Sequence, residues 1–481
     1  MKVPFHYALL ALGLALPGSA WAQNELSNFS ATGRGGVINT FATDYQVIGI
    51  NPANLGRGTD FKVAFTIAET GAGIGSQSLT KSMFKHILYD GSQALTPADR
   101  TALVQQLTGD NVLNLNVDVT TLGLAVTLPN GLGGIAFSNR QRVAGHLALN
   151  KNAADVIVNG KSAASLQPYY AYASGTGTVT PTGQTIGVAA FLDGTAIQAA
   201  WTSEFNLAYG VQVLDNTGFK LSAGLGYRYI QGIGIADVRT TGGTLYAYNA
   251  LSPLFKVNYG TLANPNATNF NYENGGGLSP VGHGNGFDFG LAAEIGKIVR
   301  VGASVADLGS MTWTGNVLQA QDQKLQQVNS SGLSTYDVIN EISKQFSNTE
   351  STLFTYEASK ERKASLPAKL RLGGGVRISQ FFEAGLDVTL PLNKVAGNLT
   401  APFVGVGVDY KPLHWLKLSS GFTEGAGYGK SLPLGLTFVT PIWEAGISTR
   451  DVVGLLSEES PYSSVAFGVL RFKIGGESTT N

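Results

Sequence analysis

Residues 382–390 read FEAGLDVTL, and apolar residues alternate in this stretch with charged or small ones. Successive side chains of an extended chain point to opposite faces, so Leu386 and Val388 share one face while Glu383 and Asp387 share the other. A period of two, with one apolar and one polar face, is the pattern of a β-strand. The same alternation recurs in the stretches 369–378, 404–410 and 463–474. This half of the chain is therefore predicted to be a succession of strands.

About fourteen strands are predicted along the whole chain, and their connections are of two lengths. The predicted strands are 60–76, 111–128, 133–150, 195–216, 219–242, 286–296, 299–316, 367–379, 381–393, 401–411, 415–424, 431–440, 442–457 and 463–474. Short turns such as Pro129-Asn130-Gly131 alternate with long loops, which are 77–110, 151–194, 243–285 and 317–366. A soluble sandwich lacks this asymmetry, whereas a transmembrane barrel has short turns at one rim and long loops at the other. The sequence therefore predicts an all-β fold, a transmembrane antiparallel β-barrel of about 14 strands with both termini at the short-turn rim.

Two of the long loops are predicted to carry helices. Thr96-Pro97-Ala98-Asp99 has an N-cap residue, a proline at the first helical position and an acid placed for a capping box. Residues 338–346 place apolar side chains at helical spacing in the last long loop. Both helices are expected over the mouth of the barrel, either as lids or as simple padding of the loops.

The composition agrees with a barrel in a membrane and excludes several other classes. Of 481 residues, 62 are glycine, 10% are aromatic and only 13% are charged. Lys and Arg together equal Asp and Glu at 32 each, so no basic surface for nucleic acid is expected. The chain has no cysteine, which excludes a lipoprotein anchor, a disulfide framework and thiolate metal ligands. No cofactor is expected.

The first residues are predicted to be an export signal and not part of the fold. Lys2 supplies a positive charge, residues 8–16 are apolar, and Ala20-Trp21-Ala22 is a cleavage site of the A-x-A type. The chain then divides into a signal peptide at 1–22, an N-terminal segment at 23–59, a barrel at 60–474 and a polar tail at 475–481. The mature protein is expected in the outer membrane, in contact with its lipid.

The segment at 23–59 is rich in glycine and weakly patterned. It contains Gly33-Arg34-Gly35-Gly36 and ends with Asn51-Pro52-Ala53-Asn54, directly ahead of the first predicted strand. This ending, before a fourteen-strand pattern with helical outer loops, resembles the long-chain fatty-acid transporter (FadL-type) superfamily of outer-membrane barrels. The resemblance implies that the segment is a hatch that plugs the lumen. It makes Asn51, Pro52, Ala53 and Asn54 the candidate ligand or gate residues.

Two further stretches resemble a narrower group. Residues 306–313, ADLGSMTW, and residues 443–451, WEAGISTRD, are similar to outer-membrane proteins of Bacteroidetes within this superfamily. That group lacks an assigned substrate, so the resemblance implies an architecture and not a ligand. The last predicted strand is followed by a polar tail, which departs from the usual barrel ending on an aromatic residue.

Charged residues of the second half fall on the polar face of their strands and are predicted to face the lumen. The basic ones are Lys369, Arg371, Arg377, Lys417, Arg450, Arg471 and Lys473, and the acidic ones are Glu383, Asp387, Asp409 and Glu444. One interpretation is that they bind an anionic head group. The favoured interpretation is that they pair with one another and with the hatch, because charges away from bulk water need partners.

Two strands contain a break in their alternation. Between residues 113 and 128 the apolar positions change from odd to even, which predicts a bulge near Thr120-Thr121. In fatty-acid transporters a strand kink opens a sideways exit into the membrane; the alternative here is a bulge that only adds curvature. Asp307-Leu308-Gly309 is a similar break. Separately, the tryptophans of the predicted strands are expected at the two membrane interfaces. They are Trp201, Trp313, Trp415 and Trp443.

Signals of enzyme chemistry are weak. The chain contains neither an H-E-x-x-H nor a G-x-S-x-G motif, and its histidines have no metal-ligand spacing, so no catalytic or metal-binding residue is predicted. The predicted function is passive transport of a hydrophobic or amphipathic small molecule through a hatch-plugged lumen. The alternatives are a scaffold or secretion-associated outer-membrane protein, whose outer loops bind a protein partner, and a Ser-His barrel hydrolase.

Overall fold

The structure is a computed structural model that describes part of the chain in detail. The described residues are 27–58, 61–76, 78–89, 93–259, 264, 266–296, 298–335, 356–393, 395, 398–399, 401–426, 429–457 and 463–475. The predicted signal peptide at 1–22, the predicted helix at 338–346 and the tail beyond residue 475 lie outside these ranges. No helix among the described residues is long and apolar enough to cross a bilayer.

The described residues contain twenty strands, numbered along the chain. They are β1 Val63–Gly75, β2 Gly109–Thr127, β3 Gly134–Leu149, β4 Tyr170–Ala173, β5 Thr178–Pro181, β6 Ala196–Asn216, β7 Phe219–Thr241, β8 Thr244–Leu251, β9 Gly282–Ile295, β10 Val299–Trp313, β11 Val317–Ala320, β12 Tyr356–Ala358, β13 Arg362–Ser365, β14 Lys369–Arg377, β15 Phe382–Pro391, β16 Phe403–Leu413, β17 Leu416–Gly425, β18 Leu434–Val439, β19 Trp443–Thr449 and β20 Ser463–Ile474.

Fourteen of these strands form a closed antiparallel barrel, which confirms the predicted fold. They are β1–β3, β6, β7, β9, β10 and β14–β20. The ring closes because β1 pairs with both β2 and β20, with Val63 opposite Ile474. Because Val63 also lies opposite Val126, beside the short turn from β2 to β3, the first and last strands begin and end at the short-turn rim.

The helices lie at the long-loop end of the barrel and inside it. They are Phe29–Gly33, Lys81–Tyr89, Pro97–Gln106, Lys151–Asn159, Val188–Phe191 and Val452–Leu456, with short 3-10 turns at Tyr45–Val47, Pro52–Arg57, Gly160–Ser162, Ala164–Leu166 and Pro253–Phe255. The helix that follows Thr96 begins with the predicted capping box, in which Thr96 and Asp99 bond to each other's backbone N–H. The predicted strand at 442–457 is too long, since β19 ends at Thr449 and a helix follows.

The long loops fold on one another into an outer cap, formed by residues 78–89, 93–108, 150–195 and 321–335. Its interior is apolar, and Leu103, Val158, Phe191 and Leu333 are buried there. The loops also add short strands to the barrel wall, which the sequence prediction left as loop. These are β8 and β13, which pair with the outer parts of β7 and β10, and β11 and β12, which extend the sheet from β8.

The two faces of the barrel wall differ in chemistry, as the alternation predicts. Leu386 of β15 is 46% exposed and points outward, whereas its neighbour Asp387 is 6% exposed and points inward. Outward apolar side chains recur on every barrel strand and together form an apolar belt. A continuous belt of this kind is suited to contact with lipid and not with water.

Bulges in β2, β7 and β10 are among those that change which residues face the lumen. No residue of β3 pairs with Thr121 of β2, so the bulge predicted at Thr120-Thr121 is confirmed. In β10 both Ala306 and Asp307 oppose Asp288, which confirms the second predicted break. In β7 the extra residue is Ile233. Because side chains alternate along a strand, one extra residue exchanges the inner and outer sets above it.

Candidate functional site

The N-terminal segment, residues 27–58, lies within the ring of strands and contacts several of them. Nη1 of Arg34 donates to Asp409 of β16 at 2.5 Å. The hydroxyl of Ser304, on β10, donates to the carbonyl oxygen of Ile50. Nearly all residues of the segment are buried. The segment thus fills the lumen at its level.

Glycines on the inner wall make room for this segment. At the turn that begins with Asn51, a Cβ added to Gly290 would lie 2.0 Å from Oδ1 of Asn51, and one added to Gly224 would lie 2.3 Å from the backbone of Pro52. Both distances are far below van der Waals contact, so neither position tolerates a side chain while the segment is in place. Other wall glycines at which an added Cβ would lie within 2.8 Å of the segment are Gly210, Gly373, Gly385, Gly405, Gly407, Gly446 and Gly468.

The candidate gate residues Asn51, Pro52, Ala53 and Asn54 are buried against this wall. Asn51 caps the turn that follows it, because its Oδ1 accepts from the N–H of Ala53 at 3.2 Å. Its Nδ2 donates to Oδ1 of Asn39 at 2.9 Å, and Nδ2 of Asn54 donates to the carbonyl of the same Asn39 at 2.6 Å. The tetrapeptide is therefore bonded to protein, and a gating role stays a prediction.

Two of the predicted luminal acids hold the segment directly. Oδ2 of Asp387 accepts from the backbone N–H groups of Ile38 and Asn39, at 2.7 Å each. Asp409 accepts from Arg34, and Nζ of Lys417 lies 3.8 Å from the same oxygen. These contacts join β15 and β16 to the segment.

A second group of predicted charges joins the segment to the last two strands. Glu444 lies between Arg471 and Lys473, with oxygen-to-nitrogen distances of 3.2 Å and 2.9 Å. Nη2 of Arg471 also contacts Oδ2 of Asp44 at 2.5 Å. Burial raises the pKa of the neighbouring Tyr45 phenol well above its ordinary value, so this group stays a donor.

The remaining predicted charges divide by position. Arg377 pairs with Glu383 at the short-turn rim. Lys369, Arg371 and Arg450 are buried on the inner wall. A role for any of these charges in binding a ligand stays a prediction.

A third ionic cluster, on β6, β7, β9 and β10, is missing from the sequence prediction. Arg228 lies at its centre, with Nη1 2.5 Å from Asp307 and 3.3 Å from Glu204, and with Nη2 3.4 Å from Asp288. Arg142 contacts the same Glu204 at 3.2 Å. The side chains of these residues point into the lumen from their strands. Extending the alternation analysis to the first half of the barrel would therefore have found them.

A cavity of about 260 Å³ lies on the long-loop side of this third cluster. Its lining comes from β3, β6–β8, β10 and β13, and includes both charged and apolar side chains. Ile235 reaches it above the bulge of β7, and Met311 and Trp313 reach it above the bulge of β10. The prediction that Trp313 lies at a membrane interface is therefore wrong, because the bulge turns it inward, where it is only 2% exposed.

Metal binding finds no support in the described part of the chain, where no three His, Asp or Glu side chains are grouped so that they would hold an ion. The histidines also serve other contacts. Nδ1 of His146, for example, lies 2.8 Å from Oδ1 of Asn114 inside the barrel.

Comparison with known proteins gives one family and several barrels. The model of a family of unknown function, DUF5723, matches residues 52–442. No curated protein matches the chain. One solved structure that it resembles is the toluene transporter TbuX of Ralstonia pickettii, with 12% identity over 94% of this chain and 99% of that chain and a TM-score of 0.43. A second is the toluene transporter TodX of P. putida, with 10% identity over 95% of this chain and 100% of that chain and a TM-score of 0.41. A third is a FadL homologue of Pseudomonas aeruginosa, with 11% identity over 95% of this chain and 99% of that chain and a TM-score of 0.42. Identities this low assign no ligand, and the likeness to Bacteroidetes proteins stays a prediction.

Proposed function

Since the chain belongs to DUF5723, a family of unknown function, its own lumen is the guide to its function, and we propose that it is a passive outer-membrane transporter. Its cargo is a hydrophobic or amphipathic small molecule. The N-terminal segment acts as a hatch that closes the lumen to ions and shifts to let the cargo pass.

One observation carries this proposal: an open cavity lies directly above a lumen that the N-terminal segment fills. The cavity offers apolar side chains such as Met311 and Ile235 to a molecule arriving from the long-loop side. Below it, hydrogen bonds and ion pairs hold the segment against the wall. Each of these contacts can break and re-form without the others. A few residues of the segment can therefore rearrange without unfolding the barrel.

The apolar belt supports the location of this transporter. Outward side chains such as Leu386 and Phe422 would be costly to leave in water, and a bilayer removes that cost. The predicted signal peptide at 1–22 supplies the route across the inner membrane, and the short-turn rim then faces the periplasm.

Deletion of residues 24–58, with the signal peptide kept, tests the hatch. We expect an assembled barrel whose single-channel conductance in planar bilayers is well above that of the intact protein, because the lumen loses its filling at one level. Heat-modifiable mobility on gels is the control for assembly. A correctly assembled deletion variant with unchanged conductance would show that the segment is no plug, and would favour the scaffold function instead.

The scaffold alternative has little support in the outer cap. Its apolar side chains, Leu103 and Phe191 among them, are buried in contact with one another, so they offer no partner a surface. The described part of the cap is thus a self-contained cover over the barrel mouth.

A further inference from the structure

We propose that the cavity is a binding site for a compact ring-bearing oxyanion, such as an aromatic carboxylate, with an oxygen that accepts a hydrogen bond from Trp313. This ligand assignment rests on the transport function proposed above. The assignment has three parts, which are the head group of the ligand, its apolar body and its size, and each part rests on a different observation.

The head group follows from Trp313. Its indole Nε1 is buried and has no hydrogen-bond partner among the described residues. The six-membered side of the indole ring packs on the wall, since added Cβ atoms at Gly232 and Gly282 would lie 2.4 Å and 2.8 Å from its Cζ3 and Cε3. The opposite edge, which carries Nε1, points away from these two glycines, and Trp313 is one of the residues that line the cavity. A buried donor without an acceptor is costly, and a ligand oxygen would satisfy it.

The charge of the head group follows from the ion pairs around the cavity. Each of the three carboxylates that line it already has an arginine: Asp237 with Arg239 at 2.8 Å, and Glu204 and Asp307 with the third cluster. Arg362 and Lys363 also line the cavity. No carboxylate among the described residues lies within 4.0 Å of either of them. The third cluster has one carboxylate more than it has arginines, so the cavity keeps a surplus of one positive charge, which favours an anionic ligand over a neutral one.

Arg362 is also positioned for such a ligand. Its guanidinium lies over the ring of Tyr248, 5.0 Å from the centroid, which fixes its plane while leaving its N–H donors available. An arginine held in this way presents two parallel donors to a carboxylate.

The body of the ligand follows from the apolar side chains of the cavity. Ile230, Ile235, Met311 and Leu366 are all buried there. They supply the dispersion contacts of an apolar body, and the thioether of Met311 is well suited to the edge of an aromatic ring. A fully polar solute such as a sugar would leave these contacts unused.

The size follows from the volume. About 260 Å³ lies below the roughly 300–1,000 Å³ of sites that hold drug-sized ligands, so the cavity has room to enclose a compact molecule. We therefore expect it to prefer small ring compounds to long-chain lipids that carry the same carboxylate.

The test is calorimetric titration of the full-length protein in detergent with naphthalene-2-carboxylate, naphthalene-2-methanol and palmitate. We expect the carboxylate to bind more tightly than the alcohol or palmitate. Trp313→Phe keeps the ring but removes the donor, and it should weaken carboxylate binding about tenfold, as expected for a hydrogen bond to a charged group. Trp201→Phe is the matched control, because Nε1 of Trp201 already donates to Oε1 of Gln141 on the outer face.

A second variant keeps the proposal testable if Trp313→Phe does not fold. Arg362→Gln with Lys363→Gln should weaken carboxylate binding several-fold and leave alcohol binding unchanged, because only the charge is lost. Equal affinities of Trp313→Phe and Trp201→Phe, or tighter binding of palmitate than of naphthalene-2-carboxylate, would overturn the proposal. These measurements do not involve conductance, so a failed hatch and a failed ligand assignment are separate results.

Discussion

At the scale of single residues, the absence of a side chain matters as much as its chemistry in this barrel. Gly290 and Gly224 place bare backbone against the turn at Asn51 and Pro52. Charged residues then hold the segment at a distance that only glycine allows, as Asp387 does for Ile38 and Asn39. The high glycine content of the chain is thus explained in part by a wall that has to accept a second layer of backbone.

Gly290→Leu tests this close packing. A Cβ at Gly290 would already lie 2.0 Å from Asn51, so we expect the turn to leave the wall and the conductance in planar bilayers to rise. Gly374→Leu is the control, because a Cβ there meets nothing within 4 Å. If both variants assemble and conduct alike, the segment is not seated against this glycine.

Leu386→Arg tests which face meets lipid. An arginine near the midplane of the bilayer costs about 2–4 kcal/mol, so this variant should lose heat-modifiable, folded barrel. Asp387→Asn should assemble, because an amide oxygen still accepts from the N–H groups of Ile38 and Asn39. Equal behaviour of the two variants on gels would contradict the assigned faces.

At the scale of elements, the bulges decide the chemistry of the cavity. Below the bulge of β10 the even-numbered Gly302 and Ser304 face the lumen, and above it the odd-numbered Met311 and Trp313 do. The bulge holds Ala306 and Asp307 together on the inner side, where Asp307 adopts a φ of 62°. A left-handed backbone in an aspartate is uncommon and is stabilised here by its ion pair with Arg228.

Two single-residue deletions distinguish the faces of β10. Without Ala306 the bulge disappears and Trp313 should stay inside, whereas without Ser310 the residues above exchange faces and Trp313 should meet lipid. The measurement is quenching of Trp313 fluorescence by brominated lipid, with Trp201, Trp415 and Trp443 replaced by phenylalanine. Quenching in the first deletion, or its absence in the second, would refute the register of β10 against β9.

The sequence predicted the barrel well because each strand repeats one local rule. Alternation, strand number and the two kinds of connection are all visible within a few neighbouring residues, and the breaks at Thr120-Thr121 and Asp307 were visible too. The position of Trp313 was missed because the break was not carried forward along β10. The bulge at Ile233 leaves almost no trace, since the residues beside it are apolar or glycine on both faces.

The candidate site was harder to predict, because it depends on which strands become neighbours. The cluster around Arg228 joins residues of four strands that are far apart in sequence, and the cavity forms only where two bulged strands face one another. Alternation assigns these side chains to the inner face, but no local pattern shows which of them meet. The candidate gate at Asn51 was identified by resemblance alone, and its hydrogen bonds to Asn39 depend on a fold of the segment that its weak patterning does not reveal.

At the scale of the whole molecule, closure of the ring can be tested with a disulfide. Ala72 of β1 lies opposite Val465 of β20, and the chain has no cysteine of its own. Ala72→Cys with Val465→Cys should form a disulfide in the oxidising periplasm, because directly opposite residues have the spacing that a disulfide needs. The boiled, unreduced protein should then migrate as a more compact species.

The control for closure uses a distant strand. Ala72→Cys with Leu386→Cys should leave two free thiols, because β15 lies on another part of the ring. Thiol alkylation read by mass spectrometry checks both pairs. A free thiol pair at positions 72 and 465 would mean that the barrel is open between its first and last strands.

The contacts of the N-terminal segment also set an order of events in time. Asp44 and Arg471 are separated by 427 positions in the sequence, and Arg34 and Asp409 by 375. The segment is exported first, but the strands that carry its partners are synthesised last. Contacts of such long range form late in folding, because the chain between them has to be organised first. Until β20 is made, the segment lacks its partner Arg471 and cannot complete its contacts with the wall. We expect each newly inserted barrel to pass through a brief leaky interval before this segment settles.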